Sequence, residues 1–233
     1  MTVLRFPAEI AVGEVHWEDA RKTGGWGHQQ AIGAVDVPDG TAVQLNAGRD
    51  YFEDGPAVDL EFICGLPADS VFELNLTGDF VPASFAAVAH LATGLRDMSV
   101  HIDDLGPEAP AVLAELTVLQ RLSLSGNSLP EDGPSLRLDD HCLSVIADLP
   151  VLESLSLLGG SYTEHGLHHL RRLPKLQHLH IEREDLTAPM FRFAATMPAL
   201  TRLTGLDEFG DDGPMPPAEV DQVRAMLPHI SVG

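Results

Sequence analysis

The feature that most constrains the fold of this chain is an apolar pattern that recurs at a fixed interval of 24 residues. The clearest copy, residues 119–129, reads Leu-Gln-Arg-Leu-Ser-Leu-Ser-Gly-Asn-Ser-Leu. With its second leucine as a marker, the equivalent positions are Leu74, Met98, Leu122, Leu155, Leu179 and Leu203. One spacing is 33 residues, and the surplus near 130–138 has the Pro, Gly and acidic content of a loop. A fixed period predicts stacked copies of one structural unit.

Each copy contains the signals of a strand and then of a short helix. In Leu122-Ser-Leu124 the alternation predicts a strand with its leucines in the core and its serine on the open face of a parallel sheet. Apolar residues at 12, 15 and 18 positions after a marker predict a short helix with one buried side. They are Leu143, Ile146 and Leu149; Leu167, Leu170 and Leu173; Phe191, Ala194 and Met197. Each helix is expected to end at a proline, at Pro150, Pro174 or Pro198.

The pattern L-x-x-L-x-L-x-x-N-x-L at 119–129 resembles the signature of leucine-rich repeats. The short helices are most similar to those of the ribonuclease-inhibitor and cysteine-containing subtypes, and the resemblance covers about residues 70–206. It implies an α/β leucine-rich-repeat solenoid, a horseshoe segment with a concave parallel β-sheet and convex short helices.

The two ends of the chain do not fit the repeat. Alternating runs at 10–15 and 34–45, with a turn at Pro38-Asp-Gly40, predict a small β-rich cap over residues 1–47. The solenoid is expected over 48–233, with a degenerate first helix at 59–67. It is expected to close with a capping helix at 217–228 and a strand at 229–232, all within one cooperative domain.

The register of the repeat identifies the side chains on the open face of the sheet. The resemblance to leucine-rich repeats implies that protein partners bind to this face. The candidate partner-binding residues are Glu73, Asp97, Ser99, His101, Arg121, Ser123, Ser154, Ser156, His178, His180, Glu182 and Arg202. They are acidic in the first repeats, serine-rich in the middle, and carry His and Arg in the last repeats. Adjacent strands lie about 4.8 Å apart, so we expect one patch roughly 25 Å long. The alternative is an ordinary solvated sheet face, which would also be polar.

The acidic charge bears on the class of partner. The 35 Asp and Glu against 14 Lys and Arg give a net charge of -21, which repels nucleic acid and anionic membranes. A basic protein would be attracted, as a cationic toxin is by an immunity protein that neutralises it; the alternative is a charge that only maintains solubility. No apolar run reaches the ~20 residues of a membrane span. Arg5 and Glu9 interrupt the first ten residues, so we expect no signal peptide there. We expect a cytoplasmic protein that is monomeric when isolated.

Histidines offer an alternative function. His178, His180 and Glu182 share one strand face, which is compatible with a metal-dependent enzyme or a metal-binding protein. A second group, His141, His165 and His169, falls on the helices. Neither group supplies a clearly convergent ligand set, and catalytic motifs are missing from the sequence. We therefore expect no metal, no cofactor and no catalytic residues.

Cysteines and tryptophans are expected in the core. Cys64 and Cys142 stand in apolar surroundings, which predicts buried free thiols. Trp17 and Trp26 are expected to pack within the cap. The alternative for Trp26, in the glycine-rich loop expected at 24–27, is a role as an exposed binding anchor.

Overall fold

Short strands and short helices alternate along the chain, as the 24-residue period predicts. The computed structural model describes residues 1–19, 25–48, 57–78, 80–101, 108–125, 138–206 and 215–233. The chain divides into two compact units, Met1–Leu119 (the N-terminal unit) and Gln120–Gly233 (the C-terminal unit). Both have a mixed α/β structure; the sheet of the C-terminal unit is parallel, whereas the sheet of the N-terminal unit contains parallel and antiparallel pairs. The predicted insertion lies outside the described residues, except for Leu138.

The N-terminal unit has a sheet with the strand order β3-β2-β5-β6-β7 and a separate antiparallel pair, β1 with β4. Its described strands are β1 Thr2–Arg5, β2 Gly13–Asp19, β3 Gly25–Gln30, β4 Ala34–Val37, β5 Val43–Gly48, β6 Glu73–Thr77 and β7 Asp97–His101. Strand β2 is antiparallel to β3 and β5, whereas β5, β6 and β7 are parallel. The predicted β-rich character of residues 1–47 is confirmed. Strand β5 crosses the predicted domain boundary after residue 47, and that boundary stays a prediction.

The C-terminal unit has a parallel sheet with the order β8-β9-β10-β11-β12. Its described strands are β8 Arg121–Ser125, β9 Ser154–Leu158, β10 His178–Glu182, β11 Arg202–Thr204 and β12 Ser231–Val232. All six marker residues, in β6 to β11, are buried and lie in the predicted strands. The closing strand β12 is also confirmed. Because the markers pair with one another in register, the 24-residue period corresponds to one step between neighbouring strands in each unit.

The helices are short, and several are 3₁₀-helices. The N-terminal unit contains η1 Leu60–Gly65, η2 Pro82–Leu91 and α1 Ala109–Glu115; the C-terminal unit contains α2 Asp140–Ile146, α3 Glu164–His169, η3 Leu170–Arg172, η4 Ala188–Thr196 and α4 Pro217–Met226. A spacing of three between buried residues fits the three residues per turn of a 3₁₀-helix, which stacks positions i and i+3. Phe191 and Ala194 of η4 are buried in this way. The helices before Pro150, Pro174 and Pro198 end ahead of those prolines, as predicted.

Two expectations about the N-terminal unit are wrong. The segment around Trp26, expected to be a loop, is strand β3 from Gly25 onward, and Trp26 is 58% exposed. Trp17 is half-buried on the opposite side of the sheet, where a Cβ on Gly27 would overlap its ring. Cys64 is exposed near the end of η1, whereas Cys142 is buried and both thiols are free. Alternation across a paired strand puts Trp26 and Gly27 on opposite faces, so only one of the two tryptophans reaches the inner side.

Within the described residues, no helix has the length and apolar character needed to cross a membrane.

Candidate functional site

Four of the predicted binding residues lie on neighbouring parallel strands of the N-terminal unit. Glu73 of β6 pairs directly with Asp97 of β7, and Ser99 and His101 follow at alternate positions of β7. All four side chains are half-buried on the side opposite the buried leucines. Ser99 Oγ lies 3.0 Å from His101 Nε2, which orients the imidazole.

The same polar face continues onto strands that the sequence prediction did not include. The register places Glu73 beside Gln44, Gln44 beside His16, and His16 beside His28. We name this surface the N-terminal face; its residues are Glu14, His16, Glu18, Trp26, His28, Gln30, Gln44, Asn46, Glu73, Asn75, Thr77, Asp97, Ser99 and His101. The sequence could have indicated this extension, because residues 43–47, Val-Gln-Leu-Asn-Ala, alternate between apolar and polar side chains as the repeat strands do.

A closed hydrogen-bond network occupies the middle of the N-terminal face. Gln44 Nε2 donates to Glu73 Oε1 over 2.9 Å and to Asn46 Oδ1 over 3.2 Å. Asn75 Nδ2 donates to the same two acceptors, over 3.0 Å and 2.8 Å respectively. Because the two amide groups bridge the same two acceptors, the network fixes the Glu73 carboxylate against the sheet.

Beside this network, two histidines stack across the antiparallel strands. The His16 and His28 rings lie 5.8 Å apart between centroids, with 24° between their planes. His16 Nε2 is 3.1 Å from Glu14 Oε2. These contacts order the outer part of the face next to Trp26, which pairs across the strands with Glu18.

The other eight predicted binding residues lie on the parallel strands of the C-terminal unit. Their register forms a row Arg121-Ser154-His178-Arg202, a row Ser123-Ser156-His180-Thr204, and a shorter row Ser125-Leu158-Glu182. We name these eleven positions the C-terminal face. The structure therefore brings Arg121, Ser123, Ser154, Ser156, His178, His180, Glu182 and Arg202 onto one surface of this unit.

The C-terminal face combines small side chains with long, charged ones. Ser154 lies between Arg121 and His178 in its row, and both of these longer side chains are exposed. Arg121 and Arg202 are cationic and Glu182 is anionic, in contrast to the carboxylates of the N-terminal face. Such a surface offers hydroxyl, imidazole and guanidinium groups to a binding partner.

The histidines considered as possible metal ligands make other contacts in the structure. His180 Nδ1 is 3.0 Å from Thr204 Oγ1, and its Nε2 is 3.8 Å from Glu182 Oε2. On the helices, the His165 and His169 rings meet edge to face at 4.9 Å, and burial together with Arg172 lowers the pKa of His169. Over the ranges that the structure describes, no three His, Cys, Asp or Glu residues are grouped so that they could hold a metal ion.

A surface depression of about 440 Å³ in the C-terminal unit is lined by residues that come after β9 and β10 in the chain. Tyr162, only 1% exposed, lies beneath Arg183, whose guanidinium carbon is 4.5 Å from the ring centroid. Arg183 also donates to the Tyr162 carbonyl oxygen and pairs with Asp185. Among the residues that the structure describes, none forms a hydrogen bond with the buried Tyr162 hydroxyl, and burial raises the pKa of Tyr162 to about 12. Sequence reasoning missed this pair, because its residues belong to two different repeats.

Comparisons with known proteins find no matching family model and no similar curated protein.

Proposed function

We propose that this chain is a leucine-rich-repeat protein without catalytic activity that binds another protein through the polar faces of its strands. The observation that carries the proposal is the register of β8 to β11, which aligns equivalent polar positions on one side and buried leucines on the other. A solenoid made of such repeats typically binds its partners through an extended surface of this kind.

The side chains of the C-terminal face support a protein partner over a small substrate. Its first two strands, β8 and β9, carry the small side chains of Ser123, Ser154 and Ser156, which leave room for a partner's side chains. Arg121, His178 and Arg202 project beside them, and all three are exposed. Arginine is enriched where proteins bind one another, because its planar group makes several hydrogen bonds and also stacks.

The alternative of a metal-dependent enzyme has less support. His180 is already in contact with Thr204 and Glu182, and His178 is exposed one row away. A zinc site would need at least three ligands at about 2 Å from one point.

A matched pair of triple variants tests the proposal. One changes the C-terminal face, Arg121→Ala with His178→Ala and Arg202→Ala. The control makes the same kinds of change on exposed helix positions of the same unit, His141→Ala with Arg171→Ala and Arg192→Ala. Both variants should keep the circular dichroism spectrum and urea midpoint of the wild type.

The assay is quantitative capture from the native lysate, followed by calorimetry with each purified partner. We expect the face variant to weaken binding of a partner at least about tenfold, because arginine is enriched among the interface residues whose truncation costs about 2 kcal/mol or more. The helix variant should bind like the wild type. Equal binding by all three proteins would contradict the proposal.

A further inference from the structure

We propose that the N-terminal face binds an arginine-containing, cationic segment of the protein partner, with Trp26 as its aromatic anchor. This inference rests on the proposed function and adds the chemistry of the partner for one of the two units.

The charges of the N-terminal face select a cation. Its described positions include the four carboxylates of Glu14, Glu18, Glu73 and Asp97, and none of its positions is Lys or Arg. The carboxylates lie on β2, β6 and β7, so the negative charge extends across most of the sheet. Acidic surfaces attract basic partners and repel acidic ones, which sets both the association rate and the choice of partner.

Trp26 supplies an apolar anchor at one edge of this acidic surface. Tryptophan is usually well buried in folded proteins, yet this side chain is 58% exposed on β3. Strand pairing leaves Gly27, not Trp26, facing Trp17 on the inner side. The exposed ring therefore belongs to the same surface as the carboxylates.

The position of Trp26 beside Glu18 favours arginine over lysine as the cationic residue of the partner segment. The two residues are directly opposite each other on β3 and β2, and such pairs have Cβ atoms about 5 Å apart. A guanidinium group stacked on the indole within about 6 Å would also reach the Glu18 carboxylate for hydrogen bonding. An ammonium group lacks the planar surface for stacking, so lysine fits this pair less well.

The neighbouring contacts prepare the face for binding. The amide groups of Gln44 and Asn75 both donate to the Glu73 carboxylate and hold it in place. The His16–His28 stack supports the strands beside Trp26. Groups that are ordered before binding lose less conformational entropy when the partner arrives.

The test uses the full chain and a synthetic ten-residue peptide of alternating Arg and Ser, with a Lys-Ser peptide for comparison. We expect Trp26→Ala to weaken binding of the Arg peptide about 3- to 30-fold, the range of a cation–π contact. The Glu14→Gln, Glu18→Gln double variant should weaken it by a similar factor, and by less at 0.5 M salt, because salt screens exposed charges.

Matched controls separate a specific site from the overall negative charge. Phe72→Ala removes another exposed aromatic ring of this unit, and the Glu61→Gln, Glu115→Gln variant removes two exposed helix carboxylates. Both should bind the Arg peptide within about twofold of the wild type. Equal weakening by the two carboxylate pairs, or unchanged binding by Trp26→Ala, would overturn the inference. So would equal affinity for the Lys peptide.

Two further readouts complete the experiment. The triple variant of the C-terminal face should bind the Arg peptide as the wild type does. Its capture of the native partner is a separate measurement, which tests the proposed function and not the present inference. If a second copy of this chain occupies the N-terminal face, light scattering will show concentration-dependent dimers that Trp26→Ala abolishes, and this result would also overturn the inference.

Discussion

The buried hydroxyl of Tyr162 gives a quantitative test of the packing in the C-terminal unit. Tyr162→Phe removes only that oxygen and keeps the ring beneath Arg183. Within the described part of the chain this hydroxyl has no hydrogen-bond partner. A buried hydroxyl in that state costs about 1–3 kcal/mol in desolvation, and the substitution removes that cost. Most substitutions of buried residues destabilise, but here we expect the free energy of unfolding to increase.

The expected gain is the difference between two terms. Removing the hydroxyl's desolvation cost gains about 1–3 kcal/mol. The cation–π contact with Arg183 is weaker for phenylalanine than for tyrosine, which subtracts roughly 0.5 kcal/mol from this gain. A net stabilisation of about 0.5–2.5 kcal/mol remains. For a chain of this size, each kcal/mol raises the melting temperature by about 2–4 °C.

Urea unfolding followed by circular dichroism measures the change, and equal m-values ensure that the midpoints are comparable. The control is Tyr162→Leu, which removes both the hydroxyl and the ring; we expect it to destabilise by about 1–3 kcal/mol through lost packing and the lost contact with Arg183. If Tyr162→Phe destabilises the protein by 1 kcal/mol or more, the hydroxyl makes a favourable interaction and the reasoning is refuted.

Two further predictions concern close packing and burial. A Cβ on Gly166 would overlap Asp140 Oδ1, so Gly166→Ala should destabilise by about 1–3 kcal/mol in urea unfolding. A Cβ on Gly65 would meet no described atom within 4 Å outside its own helix and chain neighbours, so Gly65→Ala should change stability by less than about 1 kcal/mol; equal losses would contradict the geometry. Burial raises the pKa of Cys142 to about 12, so a thiol reagent at pH 8 should label only Cys64 in the folded chain and both cysteines in denaturant, and rapid labelling of Cys142 without denaturant would show that its site is open.

The sequence determined the repeat strands and the side of each strand that is buried. A strand alternates with a period of two, so an apolar residue at each marker fixes both the register and the outward positions, including Ser154 and His178. The helix ends were also predictable, because proline cannot donate the next hydrogen bond. These signals are local and recur every 24 residues, which makes them readable without knowledge of distant contacts.

The full extent of the N-terminal face could not be predicted from the repeat, because the face includes β2, β3 and β5, which lie outside the six repeat strands. The sequence around Trp26 reads as a loop because glycines flank it, but six consecutive pairs with β2 make it a strand. Cys64 of η1 is exposed although its neighbours in sequence are apolar. Similarly, Tyr162 and Arg183 meet because neighbouring repeats lie side by side. For Trp26 and Tyr162, the decisive contacts are made between separate structural elements, so only the folded structure determines which side chains stay exposed.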